Sequence, residues 1–254
     1  MSALYDKIGV NYSALRKPDP RIAQAIERAL GDARIILNVG AGTGAYEPPG
    51  RQVIAVEPSL EMLRKRHPNA AAAIQACAEE LPFDDGHFDA SMAILTVHHW
   101  TNVQAGLREM RRVTRGRIVI ATFDPSHRPW LTDYLPELAT LDEKQMPAMS
   151  EYERGLGSVK IEPLLVPHDC SDGFLHAYWR RPEAYLDERI RSGSSSFWAI
   201  KNVDAGLQSL RHDLESGAWQ RRYADLICHD DYDAGYRLVI AQSCVTNRRP
   251  AQTD

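Results

Sequence analysis

Cysteine is sparse and scattered in this chain. Its 254 residues hold four, at positions 77, 170, 228 and 244, with no Cys-x-x-Cys pair. That spacing speaks against a disulfide framework and fits a reduced, cytoplasmic environment. Long apolar runs are missing as well. No stretch approaches the roughly 18 residues of a membrane span, and the N-terminal residues lack the apolar core of an export signal. Positive charge is not in surplus: 30 Lys and Arg stand against 34 Asp and Glu, a formal charge of −4. Without a broad basic field, nucleic acid is not the expected partner. Local basic runs such as Arg180-Arg181 and Arg221-Arg222 read as solvated helix faces. Internal repeats and low-complexity segments are absent too.

Apolar residues make up 44% of the chain, enough to fill one α/β domain with an elaboration. One stretch organises the rest. Arg34 to Val39 is an apolar, partly β-branched run, the pattern of a strand buried on both faces. It ends in Gly40, Gly42 and Gly44, where backbone amides can approach a ligand closely. A second run, Val53 to Val56, ends in Glu57. Parallel strands end on one edge, where such sheets bind ligands, and a carboxylate there can accept both hydroxyls of a ribose. The pair reads as a nucleoside site. Gly40 to Ala45 also fits G-x-G-x-x-A, the dinucleotide fingerprint. That fingerprint needs a helix N-terminus for the pyrophosphate, yet Pro48-Pro49-Gly50 follow at once and leave room for about one helical turn. A nucleoside without a diphosphate is the better fit.

Leu37 to Gly44 resembles motif I of the class I S-adenosylmethionine (SAM)-dependent methyltransferases. Ala55 to Ser59 with Met62-Leu63 resembles their acidic-loop motif. Ala78-Glu79-Glu80-Leu81-Pro82-Phe83, Phe88-Asp89 and His98-His99-Trp100 are similar to the small-molecule branch that includes the ubiquinone and menaquinone methyltransferases. The resemblance covers roughly residues 5 to 125 and a final strand. It implies an α/β, Rossmann-like, seven-stranded, mostly parallel sheet with a helical insertion near the C-terminus. It also implies SAM as cofactor and S-adenosylhomocysteine as product. The implied cofactor residues are Asn38, Gly40, Ala41, Gly42 and Gly44, then Glu57, Pro58 and Met62, then Cys77, Ala78 and Glu79, with Leu95 and Thr96. An N-terminal segment would add Tyr12 and Arg16, the latter toward the methionine carboxylate. Two positions depart from the pattern. Asn38 stands where an acidic residue is common, and Cys77 where an aspartate is. Cys77 itself is expected to be a small buried filler.

In chain order, helices are expected over Arg21 to Leu30, with Gly31 as the stop, from a Ser59 cap to His67, and over Val103 to Val113. Further strands are expected at Ala72 to Ala76, Phe88 to Leu95, Arg117 to Phe123, Val159 to Val166 and Tyr236 to Ala241. This divides the chain into a cofactor-binding core (1–125), a mainly helical substrate-covering segment (126–235) and a closing strand (236–247).

A hydroxyl or amine acceptor must lose a proton as it is methylated, and histidine suits that task near neutral pH. His99 and His98, at a strand end, are the leading candidates. His168, with Asp169 as its orienting group, is another. Trp100, Phe123, Trp130, Tyr134 and Trp198 are candidates for the acceptor site. His168, Cys170 and Asp172 alternate as metal ligands on one face of an extended segment do, but no second ligand cluster accompanies them and no metal is expected. The function expected is methyl transfer to a small molecule by a monomer or homodimer. The competing readings are a nicotinamide-dependent oxidoreductase and a non-catalytic SAM-binding protein.

Overall fold

The computed structural model describes residues 16–243. Tyr12 lies outside them. Nine strands are present among the described residues: β1 (Ile35–Val39), β2 (Gln52–Val56), β3 (Ala72–Ile74), β4 (Phe88–Ile94), β5 (Thr114–Phe123), β6 (Val159–Pro163), β7 (Val166–Pro167), β8 (Asp231–Tyr232) and β9 (Tyr236–Gln242). Seven form one sheet in the order β3-β2-β1-β4-β5-β9-β6. The pairs β1–β2, β1–β4, β2–β3 and β4–β5 are parallel. The chain therefore runs outward from β1 to β3 and returns to the other side of β1 as β4. The order reverses between β1 and β4, and open α/β sheets bind ligands at the carboxyl ends of such a pair.

The described residues cluster into two compact units, one of residues 26–122, 149–161 and 238–243, the other of residues 16–25, 123–148 and 162–237. The first holds most of the sheet. Leu37, Val39, Val56, Phe88, Ala93, Ile118 and Ile120 form its core with Leu107, Met110 and Val113 from the helix Val103–Val113. Buried strands of a parallel sheet carry apolar residues on both faces, which is why β1 and β5 read as near-continuous runs.

The helices follow their caps. In α1 (Pro20–Leu30) the Asp19 carboxylate accepts the Arg21 amide at 2.9 Å and proline occupies the first turn. Ile22, Ile26, Ala29 and Leu30 make its buried face. Ser59 caps α2 (Leu60–Arg64), its hydroxyl accepting the Met62 amide; this helix stops three residues short of the expected His67. Asn102 caps α3 (Val103–Val113), which passes directly into β5. That strand starts at Thr114 rather than Arg117: Thr114 pairs with Phe88 of β4, and its buried hydroxyl is bonded to Ser91. Helix α5 (Met149–Leu156) lies against α3, where Gly155 makes room for Leu107.

The second unit has its own core. Trp130, Leu131, Tyr134, Leu135 and Leu138, the last on α4 (Pro136–Gln145), pack with Leu175, Tyr185, Leu210 and Trp219. Leu210 belongs to α6 (Val203–Glu215), and Trp219 to a short helix over Ala218–Arg222. The expected sixth strand to Val166 is divided. Strand β6 ends at Pro163, and Val166-Pro167 pairs antiparallel with Asp231-Tyr232 as β7 and β8. Between that pair the segment is largely helical, as the resemblance implied.

Candidate functional site

Two chain segments meet at the β1–β4 switch. Gly40 has φ +67°, and a Cβ built there would collide with the Thr96 hydroxyl, so only glycine lets the first turn approach the end of β4. On the other side Leu95 takes φ +52°, a left-handed geometry that costs a side-chain-bearing residue about 1–3 kcal/mol. Its amide is held by the Ala121 carbonyl at 2.8 Å. Both irregularities sit at the carboxyl rim.

The glycine turn is closed by its own hydrogen bonds. The Gly40 and Ala41 amides both donate to the Val56 carbonyl, at 2.8 and 3.0 Å, and the Gly44 amide donates to Ala41 at 2.9 Å. The Gly42 amide donates to Glu57 Oε2 at 2.8 Å. Four amides of the turn are thus already engaged. Residues 40–51 form turns rather than a helix, as the Pro48-Pro49 break predicts. This is not the open nest at a helix N-terminus that a pyrophosphate requires.

Glu57 is buried, with 8% of its surface exposed. Its second oxygen, Oε1, accepts the Ser59 amide at 2.9 Å, and its own amide donates to Ile74 at 3.1 Å. Each carboxylate oxygen therefore has one backbone donor and retains further acceptor capacity. Two such oxygens, fixed in orientation, suit a vicinal diol, so the residues present fit the ribose of SAM. Beneath the turn, Arg66 donates to the Gly42 carbonyl (3.1 Å), the Ala71 carbonyl (2.9 Å) and Glu47 Oε1 (2.7 Å). Glu47 also accepts from the Asn38 amide group (3.2 Å) and the Ala71 amide (3.0 Å).

The neighbouring candidates are placed as follows. Gln75 bonds the Pro58 carbonyl at 3.1 Å, and the Met62 amide belongs to the Ser59 cap. Ala78 is buried, and Glu79 Oε1 accepts the Asn102 amide at 2.9 Å. Cys77 is exposed, which corrects the expectation of a buried filler: β3 ends at Ile74, so residue 77 lies in a surface loop.

Val97 to His99 form one 3-10 turn after β4, and the two imidazoles lie 3.9 Å apart between ring centroids. Burial pushes His98 down to about 3, with His99 adding repulsion. His99 keeps an exposed surface, yet the protein around it still lowers its pKa by desolvation. Both rings are uncharged near neutral pH. Trp100 lies across Gly106 of α3, packed on the core.

In the second unit, Arg16 pairs with the buried Asp172 carboxylate at 2.6 Å. His168 Nδ1 stands 3.2 Å from the Asp230 carbonyl. Asp169 does not orient it, contrary to expectation, because Arg21 takes that carboxylate at 2.7 Å. With Asp172 held by Arg16 and the Cys170 thiol directed at the Asp172 carbonyl, the alternating trio is not gathered as a ligand set. Trp130 donates to the Trp179 carbonyl at 2.9 Å inside the aromatic core, and Tyr134 to Asp213 at 2.7 Å. Trp198 is 47% exposed. Phe123, the last residue of β5, stacks on His176 at 5.4 Å.

His176, Asp142, Glu47 and Arg66 were not legible as notable. His176 is 2% exposed, its Nε2 has no partner, and burial pushes it down to about 3. Asp142 is 3% exposed, and burial raises its carboxyl to about 7 against the opposing pull of Arg128. Arg66 sits in the basic run Arg64-Lys65-Arg66-His67, yet its side chain is 6% exposed while that of Arg64 is 69% exposed. No residue pattern distinguishes the two.

A family model described as a methyltransferase domain matches residues 37–120. A crystal structure of a candidate methyltransferase from an antibiotic biosynthesis pathway of Anabaena variabilis is 36% identical. It covers 89% of this chain and 98% of its own, with a TM-score of 0.78. The demethylmenaquinone methyltransferase of Mycolicibacterium gilvum is 34% identical over 48% of this chain and 54% of its own length. That of Corynebacterium urealyticum is 30% identical over 56% and 64%. The chain spans about half to two thirds of the length of these curated relatives.

Proposed function

The chain belongs to the class I SAM-dependent methyltransferases, and from that premise we propose that it transfers the methyl group of SAM to a hydroxyl, amine or carbon of a small-molecule acceptor. The observation that carries the cofactor assignment is the Glu57 carboxylate, buried at the end of β2 and oriented by the Gly42 and Ser59 amides. It holds the ribose diol. Leu60 and Ile74, exposed on the two segments that flank Glu57, supply apolar surface for a purine, with Ala78 and Glu79 at its edge.

SAM, when bound, supplies a methyl on a positively charged sulfur that departs as a neutral thioether, so no acid is needed for the leaving group. The protein's tasks are alignment, exclusion of water and, for a hydroxyl or amine, removal of one proton. We assign the last to His99. Its imidazole is neutral near pH 7 and partly open to solvent. His98 is the weaker candidate, because a ring held near 3 has little affinity for a proton.

Acceptor choice is assigned to the aromatic segment 126–235 with Phe123 at its head. Two relatives carry the name demethylmenaquinone methyltransferase, so planar, hydroxylated aromatic acceptors are the class to try first. The test is release of S-adenosylhomocysteine from SAM in the presence of a panel of quinols, phenols and amines. Turnover with a panel member supports the reading. Tight SAM binding with no turnover on any member contradicts it and favours a non-catalytic SAM-binding protein.

A further inference from the structure

No helix follows the glycine turn before β2, since Pro48 and Pro49 end the segment in turns. Something else must fix its shape. Gly42 lies between two peptide groups, and each is held from outside the turn. Its amide is bonded to Glu57, and its carbonyl is bonded to Arg66 at 3.1 Å. Arg66 reaches the carbonyl while also bonding Ala71 O and Glu47. Glu47 in turn bonds Asn38, the residue beneath the turn, and the Ala71 amide ahead of β3.

We propose that Arg66 and Glu47 are positioning residues for the cofactor, holding Gly42, and through it Glu57, in the geometry that receives the ribose. The proposal rests on the assignment of this rim as a SAM site. It also gives Asn38 a part: its amide group donates to Glu47 and ties β1 to the same pair. The pair is secluded, with 6% of the Arg66 side chain and 10% of the Glu47 side chain exposed. Its attraction is weakly screened, and loss of either partner leaves a buried charge unmatched. Gly44 belongs to the same device. Its φ is +94°, and a Cβ there would sit 3.0 Å from Glu47 Oε2 and 3.3 Å from Arg66. The guanidinium fork addresses three acceptors at once, which the single ammonium of lysine does not reproduce.

The test uses the full chain with Arg66→Lys, which keeps the charge, and Glu47→Gln, which keeps the volume. Melting curves establish that each is folded, calorimetry gives the SAM dissociation constant, and steady-state assays give KM for SAM and kcat. Displacement of a binding group by about an ångström costs up to about a hundredfold. The proposal therefore expects SAM affinity to fall about tenfold or more, with KM for SAM rising far more than kcat falls. A purely structural pair would lower melting temperature and leave KM for SAM in place. Folded Arg66→Lys protein that binds SAM within about twofold of wild type overturns the proposal. Wild-type protein that fails to bind SAM overturns instead the site assignment on which it rests.

Discussion

The Gly42 amide donates to the Glu57 carboxylate across 2.8 Å, joining the turn after β1 to the end of β2. Glu57 thus clasps the turn, and under the proposed assignment it also accepts the ribose diol. Glu57→Ala removes both roles. Hydrogen bonds to a charged group are worth about 1.5–3 kcal/mol each, so SAM affinity should fall at least about tenfold in calorimetry. Unchanged affinity would refute the ribose assignment.

The contact of Gly40 with Thr96 makes a second prediction. Gly40→Ala forces a methyl against the Thr96 hydroxyl at a backbone angle of +67°. It should cost roughly 2 kcal/mol or more of stability, read as a lower denaturation midpoint. Adding Thr96→Ala removes the hydroxyl collision but leaves the residue-96 Cβ at 3.0 Å and the backbone strain, so it should restore only part of the loss. Full restoration would show that φ at Gly40 is not constrained.

The two neighbouring histidines should separate. His99→Gln is expected to lower kcat by about a hundredfold or more for a hydroxyl or amine acceptor, and His98→Gln much less. His98 should show itself instead in acid stability. Its folded pKa of about 3 lies below the ordinary 6.5, so the unfolded chain takes up the proton first as pH falls. The stability this neutral ring contributes is present above about pH 6.5 and is lost as pH falls toward 3. The Tm-versus-pH slope across that window should flatten in His98→Gln. An unaltered slope would mean that the ring is not buried in solution.

Asp142 should act in the opposite sense. Its folded pKa of about 7 lies above the ordinary 3.8. Its contribution is fully present below about 3.8 and is lost as pH rises through 7, where the buried carboxyl must ionise. Asp142→Asn should therefore raise Tm at pH 8 and leave it unchanged near pH 3.5. A lowered Tm at pH 8 would show that the charged form has a partner.

The parts of this fold that were legible in the residues are those with a local cause. β1 and its glycine turn, the Ser59 cap, and the lack of more than a turn of helix before Pro48 all follow from neighbouring residues. The departures have long-range causes. Adjacency makes Asp169 the natural orienter of His168, but Arg21, 148 positions away, claims it. Arg66 and Arg64 are alike in sequence, and only the fold buries one of them. Free cysteine is generally a small buried filler, yet Cys77 is exposed because the strand stops at Ile74. Trp198 stands among the acceptor-site candidates with Trp130 and Tyr134, yet those two pack in the second unit's core while Trp198 is 47% exposed.

The central claim is that the rim formed by Gly40 to Gly44 and Glu57 receives a nucleoside without a diphosphate. The most direct measurement is calorimetric titration of the purified chain with SAM, S-adenosylhomocysteine and NADH. The account predicts saturable binding of the first two and none of NADH, with SAM binding lost in Glu57→Ala. Binding of NADH at this rim, or SAM binding that survives Glu57→Ala intact, would contradict it.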